Sequence, residues 1–366
     1  MNILYISKLA GHRWQGPNES VPSQIEAQSK YDNVFWYNLN YVMKDEWLKK
    51  TKCNNLSNYP RRKLKYLPKP FDNPDLVVFE GVYEYPFCKI YYEVLNKRIP
   101  YIVIPRSALT KQARNKKKIK KIIGNIIFFN GFLKRAKAIQ YLTTNELDES
   151  GTNWNKNSII IPNGIGFKDR KKMKNNSKQL QGIFIGRIDT YQKGLDLLVE
   201  ACEQIREELI NSNVVLKLYG PDRYSSKRSL QKLIIEKQLH GVLSIHDAVF
   251  DDEKEKIQLE SDFFIMTSRF EGHSMGLIEA LSYGLPCLVT EGTNMKEEIQ
   301  GSNAGWVADN NVQSIKLALL HVISEKNKLR EKSLAAKELV RKYDWLMIGE
   351  MTTVKYKELV NKLDPK

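Results

Sequence analysis

Acidic residues are missing from one long stretch of this sequence. Between Val94 and Asn145 there is no Asp and no Glu, although the 366-residue chain carries 42 of them elsewhere. Cysteine is scarce too: Cys53, Cys88, Cys202 and Cys287 lie far apart and form no C-x-x-C pair. That excludes a disulfide framework and a thiolate zinc site, and suits isolated core thiols in a reducing compartment. No apolar run approaches the roughly 18 residues a membrane helix needs. The N-terminal "MNILYISKLAGHRW" has an apolar run too short for a signal peptide. A cytoplasmic protein without a transmembrane span is therefore expected. No D-x-D run offers paired carboxylates to a divalent ion, so no metal is expected.

What fills the acid-free stretch is cation. The net charge is +16, and "KQARNKKKIKKIIGNIIFF" and "LKRAKA" concentrate it. Within the run Ile119, Ile122, Ile123, Ile126 and Ile127 recur at helical spacing among Lys116, Lys117, Lys118, Lys120 and Lys121. The pattern predicts a basic amphipathic helix with isoleucines and lysines on opposite faces, able to rest on an anionic membrane surface. The plainer reading is a solvated lysine-rich helix face. A basic nucleic-acid-binding protein is the competing class. The run is aliphatic rather than laced with exposed aromatics, however, and no helix-turn-helix, zinc or RNA-recognition signature accompanies it.

Short apolar runs alternate with longer helical patterns along the whole chain, which predicts an α/β protein with parallel sheets. The alternation runs from "MNILYIS" to "AIQYLTT", restarts after "SIIIPNG" near Ser158, and continues to "AGWVA". The length suits two domains. Their expected bounds are 1–157, joined by a C-terminal helix over about 344–366, and 158–343.

Between "FFIMTS" and "LIEALSYG" the chain reads "GHSMG", a match to the G-x-S-x-G nucleophile elbow of serine hydrolases. The elbow requires an acid and then a histidine after the serine. The only histidine after Ser274 is His321, in a helix-like run, and no HGGG-type oxyanion segment precedes the elbow. A hydrolase is thus the weaker reading. Taken wider, "SRFEGHSMGLIEALSYGLP" places Glu271 and Glu279 eight positions apart around a glycine-bearing turn. A helix starting near Leu277 and ended by Gly284 and Pro286 would put Glu279 in its first turn. Backbone N–H groups over Gly272, His273, Ser274, Met275, Gly276 and Leu277 would then face an anion.

This stretch resembles the E-x7-E signature of retaining glycosyltransferases of family 4. "FIGRIDTYQKGLDLLVEA" is similar to the family segment whose arginine and lysine grip the donor diphosphate. "IIIPNGI", "LYGPD" and "LSIHDAVFDDEKEKIQLESDFFIMTSRFEG" resemble neighbouring family segments. In the first half, "DLVVFEGVY" and "IPYIVIPRSALTKQARNKKKIKK" resemble bacterial capsule and exopolysaccharide glycosyltransferases more loosely.

The resemblance implies the GT-B fold, two facing Rossmann-like domains with a deep interdomain cleft. It also implies transfer of a sugar, with retention, from a nucleotide-diphosphate donor (a UDP-sugar) to a saccharide acceptor, which is expected to be lipid-linked. The nucleotide sugar is a co-substrate, and no cofactor is implied. On this reading Arg187, beside Gly186, and Lys193 hold the diphosphate. Glu271 faces the donor sugar, Glu279 the ribose hydroxyls, and backbone at Asp247, Ala248 and Val249 the base. Arg106 stands where many members carry a histidine near the donor sugar, with His12 as a possible substitute. Gly16 stands in the remnant glycine loop "GPNESVP". The implied setting is surface-glycan synthesis at the inner face of the cell membrane.

Overall fold

The computed structural model describes residues 1–12, 14–41, 43–44, 47, 53–115, 117–166 and 179–361. The chain divides into two units, Met1–Gly164 with Trp345–Lys366, and Ile165–Asp344.

The first unit is built on a seven-stranded sheet, ordered β3-β2-β1-β4-β5-β6-β7 with every pairing parallel. Its strands are β1 (Asn2–Ser7), β2 (Asn33–Asn38), β3 (Asn54–Asn55), β4 (Leu76–Glu80), β5 (Tyr101–Ile104), β6 (Ala138–Tyr141) and β7 (Ser158–Ile160). Helices cover both faces of a parallel sheet, so its inner strands are apolar throughout instead of alternating. The buried runs Leu76–Phe79 and Tyr101–Ile104 show this.

The restart expected at Ser158 belongs to this sheet. Ser158, Ile159 and Ile160 pair with Ile139, Gln140 and Tyr141, so the division between units falls after Gly164. A three-residue edge strand next to a loop carries no local mark of which sheet will claim it. The C-terminal helix Trp345–Asn361 returns to this unit and crosses Pro17–Gln28 closely: a Cβ on Gly349 would stand 2.8 Å from the Ala27 carbonyl oxygen. Tyr356 Oη donates to Gln140 Oε1 at 2.6 Å, and Thr353 Oγ1 to Asp32 Oδ2 at 2.7 Å.

The basic segment forms short pieces, Lys111–Asn115, Lys118–Gly124, a π turn Asn125–Phe129, and Asn130–Lys134. Phe128, Phe129 and Phe132 enter the core. The isoleucines do not: Ile119, Ile122, Ile123, Ile126 and Ile127 are 47–76% exposed, and the buried residue of Lys118–Gly124 is Gly124. The apolar stripe therefore faces outward, because Phe128 and Phe129 at the end of the π turn and Phe132 after it occupy the inward positions. Lys116 lies outside the described residues.

The second unit carries six parallel strands ordered β10-β9-β8-β11-β12-β13. They are β8 (Leu180–Ile185), β9 (Val214–Tyr219), β10 (Leu243–His246), β11 (Phe263–Met266), β12 (Cys287–Thr290) and β13 (Gly305–Ala308). Counted from β8 this is the order 3-2-1-4-5-6 of dinucleotide-binding sheets. Its direction reverses between β8 and β11, and ligands of such sheets bind outside the carboxyl ends of the strands at that point.

Candidate active site

Chain leaves β8 at Gly186–Arg187 and β11 at Thr267–Glu271, so these segments flank the reversal point. The loop after β8 is sewn to the segment after β11. Thr267 Oγ1 donates to the carbonyls of Lys193 at 3.1 Å and Gly194 at 3.0 Å, and the Arg269 N–H donates to the Gln192 carbonyl at 2.9 Å. Arg269 also grips Asp196 through two bonds of 2.7 Å and lies 4.6 Å over the Tyr191 ring. Gly194 has φ +59°, and a Cβ there would stand 1.9 Å from the Thr267 carbonyl oxygen, so glycine is required on both counts.

The stitching brings Lys193 Nζ to 2.5 Å from Glu271 Oε1, an oxygen that also accepts from Ser268 Oγ at 2.7 Å. The Lys193 and Glu271 side chains are 9% and 11% exposed. Arg187 is half-buried, and its guanidinium has no carboxylate at ion-pair distance among the described residues. Burial first, and the nearby charge of Arg223 second, lower its pKa, against the pull of Glu271 and Asp189. Arg223 is itself bound to Asp189, Nη1 to Oδ2 at 3.2 Å. Arg223 was missed in the sequence; its signal is a cation three places after the glycine in "YGPDR". Clustered cations that outnumber their ion pairs favour a polyanion such as a diphosphate.

The turn Glu271–Ser274 is held by Asn294, another residue not singled out from the sequence. With φ +60°, it donates from Nδ2 to the carbonyls of Glu271 at 2.7 Å and Gly272 at 3.0 Å. A helix then starts at Met275 and runs to Ser282. Its start abuts β8, since a Cβ on Gly276 would stand 3.1 Å from the Ile185 carbonyl oxygen. The first amides of a helix lack partners within it and favour an anion. Gly284, with φ +72°, ends the helix as its position suggests.

Because the helix starts at Met275 and not near Leu277, Glu279 is in the second turn rather than the first, and no acid occupies the first turn. Glu279 pairs instead with Lys254, on the helix Asp251–Glu260. Leu277 is a core residue, so only its backbone can serve a ligand. His273 is buried against Tyr343, ring centroids 4.9 Å apart, and burial, then the charge of Lys342, push its pKa down to about 3. Ser274 is buried and makes no side-chain cap bond, while His321 is exposed on the helix Val312–Ser324. Among the described residues no base bonds the Ser274 hydroxyl to activate it as a nucleophile.

Asp247, Ala248 and Val249 follow β10 at the same carboxyl edge. The Asp247 side chain is fully exposed and meets Lys227 at 2.8 Å; Val249 is buried. His246 stacks on Tyr219, centroids 4.7 Å apart, and its Nε2 lies 2.8 Å from Ser244 Oγ.

In the first unit Arg106 is engaged within its own surroundings. Its Nε bonds Glu80 Oε2 at 2.7 Å, Nη1 bonds Ser20 Oγ and Asn163 Oδ1 at 3.0 Å, and Nη2 bonds Gln24 Oε1 at 2.8 Å. Its side chain is 8% exposed. The contacts give this residue, expected near the donor sugar, a structural duty. Gly16 precedes the helix Pro17–Gln28 after β1, and His12 stacks on Trp14 with centroids 4.9 Å apart.

Two units of parallel strands wrapped by helices, the second in the 3-2-1-4-5-6 order with an anion-ready reversal point, define a GT-B protein. Residues 167–339 match the family model "Glycosyl transferases group 1", a match that falls on the second unit. The chain is 25% identical over 202 residues to the uncharacterized glycosyltransferase MJ1178 of Methanocaldococcus jannaschii, covering 55% of this chain and 53% of that one. It is 27% identical over 138 residues to the putative colanic acid biosynthesis glycosyltransferase WcaL of Escherichia coli K12, covering 36% and 33%. The match thus spans about half the length, or less, of these curated relatives. The fold superposes on Anabaena HepE, solved with UDP and glucose, with a TM-score of 0.74 at 12% identity, covering 97% of this chain and 99% of that one.

Proposed function

We propose that this chain transfers a sugar from a nucleotide-diphosphate donor, a UDP-sugar, to a saccharide acceptor, with retention of configuration and without a metal ion. The observation that carries the reading is the convergence of Arg187, Lys193 and Glu271 on the reversal point of the second sheet. As the glycosidic bond breaks, negative charge grows on the departing diphosphate, and preorganised cations and helix-start amides stabilise that charge. Arg187 and Lys193 supply the cations; the amides over Gly272–Leu277 supply the rest. Glu271 faces the sugar hydroxyls, Glu279 the ribose, and backbone from Asp247 to Val249 the base. In retention by front-face attack the leaving phosphate oxygen takes the acceptor proton, so positioning replaces a dedicated base. The proposed acceptor is lipid-linked, and the work surface is the inner face of an anionic membrane, as in surface-glycan assembly. The family match and the UDP held by HepE support the donor class.

A thermal-shift series with UDP, GDP, ADP and their sugars tests this without an acceptor. A ligand bound only by the folded state adds about 2.7 kcal/mol at a hundred times its Kd. The expected result is a raised Tm with UDP or a UDP-sugar, reduced in Arg187→Ala. No shift with any nucleoside diphosphate overturns the reading.

A further inference from the structure

We infer that the acid-free segment of the first unit forms a phosphate-binding cavity for the headgroup of an anionic membrane lipid, with its isoleucine face seated in the acyl layer beside it. The inference rests on the membrane-surface reading above and adds the site that would read the lipid. A cavity of about 340 Å³ lies among Lys111, Arg114, Lys118, Lys121, Ile122 and Asn125. That volume suits a phosphodiester headgroup rather than a single water, whose share of liquid is about 30 Å³.

Four cations line the cavity and no carboxylate does. Arg114, lying 5.5 Å from the Trp154 ring, keeps its buried Nε–H without an acceptor among the described residues, which favours an incoming anionic oxygen. Lys121 is positioned by its bond to the Ala113 carbonyl at 2.6 Å and by the Tyr83 ring 4.8 Å away. Among the described residues, Glu149 acts on the group from another element, beside Lys111 and Gln112.

The isoleucine face gives the cavity its orientation. Lys118–Gly124 seats on the unit through Gly124, so Ile119, Ile122 and Ile123 project away from the protein, followed by Ile126 and Ile127. A surface helix ordinarily turns its apolar stripe inward. Here that stripe is outward and flanked by Lys118 and Lys120, the arrangement of an interfacial helix whose lysine heads stay at headgroup level. The lack of any Asp or Glu from Val94 to Asn145 removes local repulsion from an anionic leaflet.

The test is co-sedimentation of the full chain with vesicles of phosphatidylglycerol and phosphatidylcholine, against phosphatidylcholine alone, over a salt series. Arg114→Gln with Lys118→Gln should weaken binding to the anionic vesicles at least about tenfold. Ile119→Ser with Ile126→Ser should do the same, both with unchanged Tm. Lys134→Gln with Lys156→Gln, two exposed lysines outside the cavity, should change binding less than about threefold. Equal losses in the control pair, or equal binding to both vesicle types, overturn the cavity. Competition by inorganic phosphate in the same assay, held at constant ionic strength so that screening does not change, would assign the site to free phosphate and overturn the lipid. Self-association by light scattering that vanishes with the isoleucine changes, without vesicle binding, would assign the face to a second copy and overturn it too. Nucleotide shifts on the same preparations fail only if the donor reading fails, which keeps the two apart.

Discussion

Lys193 and Glu271 are separated by 78 positions, yet Lys193 Nζ stands 2.5 Å from Glu271 Oε1 at the reversal point of the second sheet. In the proposed reading this pair offers the cation to a diphosphate and the carboxylate to a sugar, each side chain orienting the other. Replacing Lys193 by alanine leaves the mostly buried Glu271 carboxylate bonded to the Ser268 hydroxyl without its cation. Lys193→Ala and Arg187→Ala should each lower kcat of transfer on the order of a hundredfold while the melting curve stays cooperative. Near-normal turnover in both would remove the diphosphate grip.

Ser274 tests the hydrolase reading. Its hydroxyl makes no cap bond, and the helix start uses its backbone. Ser274→Ala should therefore keep transfer within about threefold, since loss of an unengaged hydroxyl costs little. Fluorophosphonate labelling of the native protein that disappears in this variant would restore the nucleophile.

Arg106 and Glu80 form a buried pair, and Glu80 Oε1 has no hydrogen-bond partner among the described residues. Arg106→Met should destabilise the protein by about 3–5 kcal/mol by stranding that carboxylate. Glu80→Leu combined with Arg106→Met should recover part of the loss. Urea denaturation measures both. Unchanged stability with collapsed turnover would place Arg106 on the substrate instead.

His273 makes stability depend on acid. Folded, its pKa is pushed down to about 3, whereas unfolded histidine titrates near 6.5. Below about pH 6.5 the unfolded chain takes up a proton that folded His273 refuses, so stability present at neutral pH is lost progressively as pH falls toward 3. One such proton contributes about 1.4 kcal/mol per pH unit. The difference in unfolding free energy between the native protein and His273→Phe should change with that slope from pH 6 to pH 4, and a flat difference would refute a neutral buried imidazole.

Local order was legible from residues alone, because each feature depends on near neighbours. The alternating apolar runs announce parallel strands. Gly284 and Pro286 mark a helix end, and the spacing of Glu271 and Glu279 around a glycine turn marks the candidate site. Arg187 and Lys193 stand out because Gly186 and Gly194 bracket their loop.

Other features required the folded chain, since they join residues distant in sequence. Nothing near Asn294 announces that its amide clasps the carbonyls of Glu271 and Gly272, and the glycine before Arg223 marks a turn without telling that Arg223 pairs with Asp189 on the loop that carries Arg187. Ser158–Ile160 looks like the opening of a second domain until its ladder to β6 claims it for the first. The isoleucine periodicity specified an amphipathic helix, but periodicity has no direction. Packing chose it: Phe128, Phe129 and Phe132 filled the interior and Gly124 met the unit, so the isoleucines were turned outward.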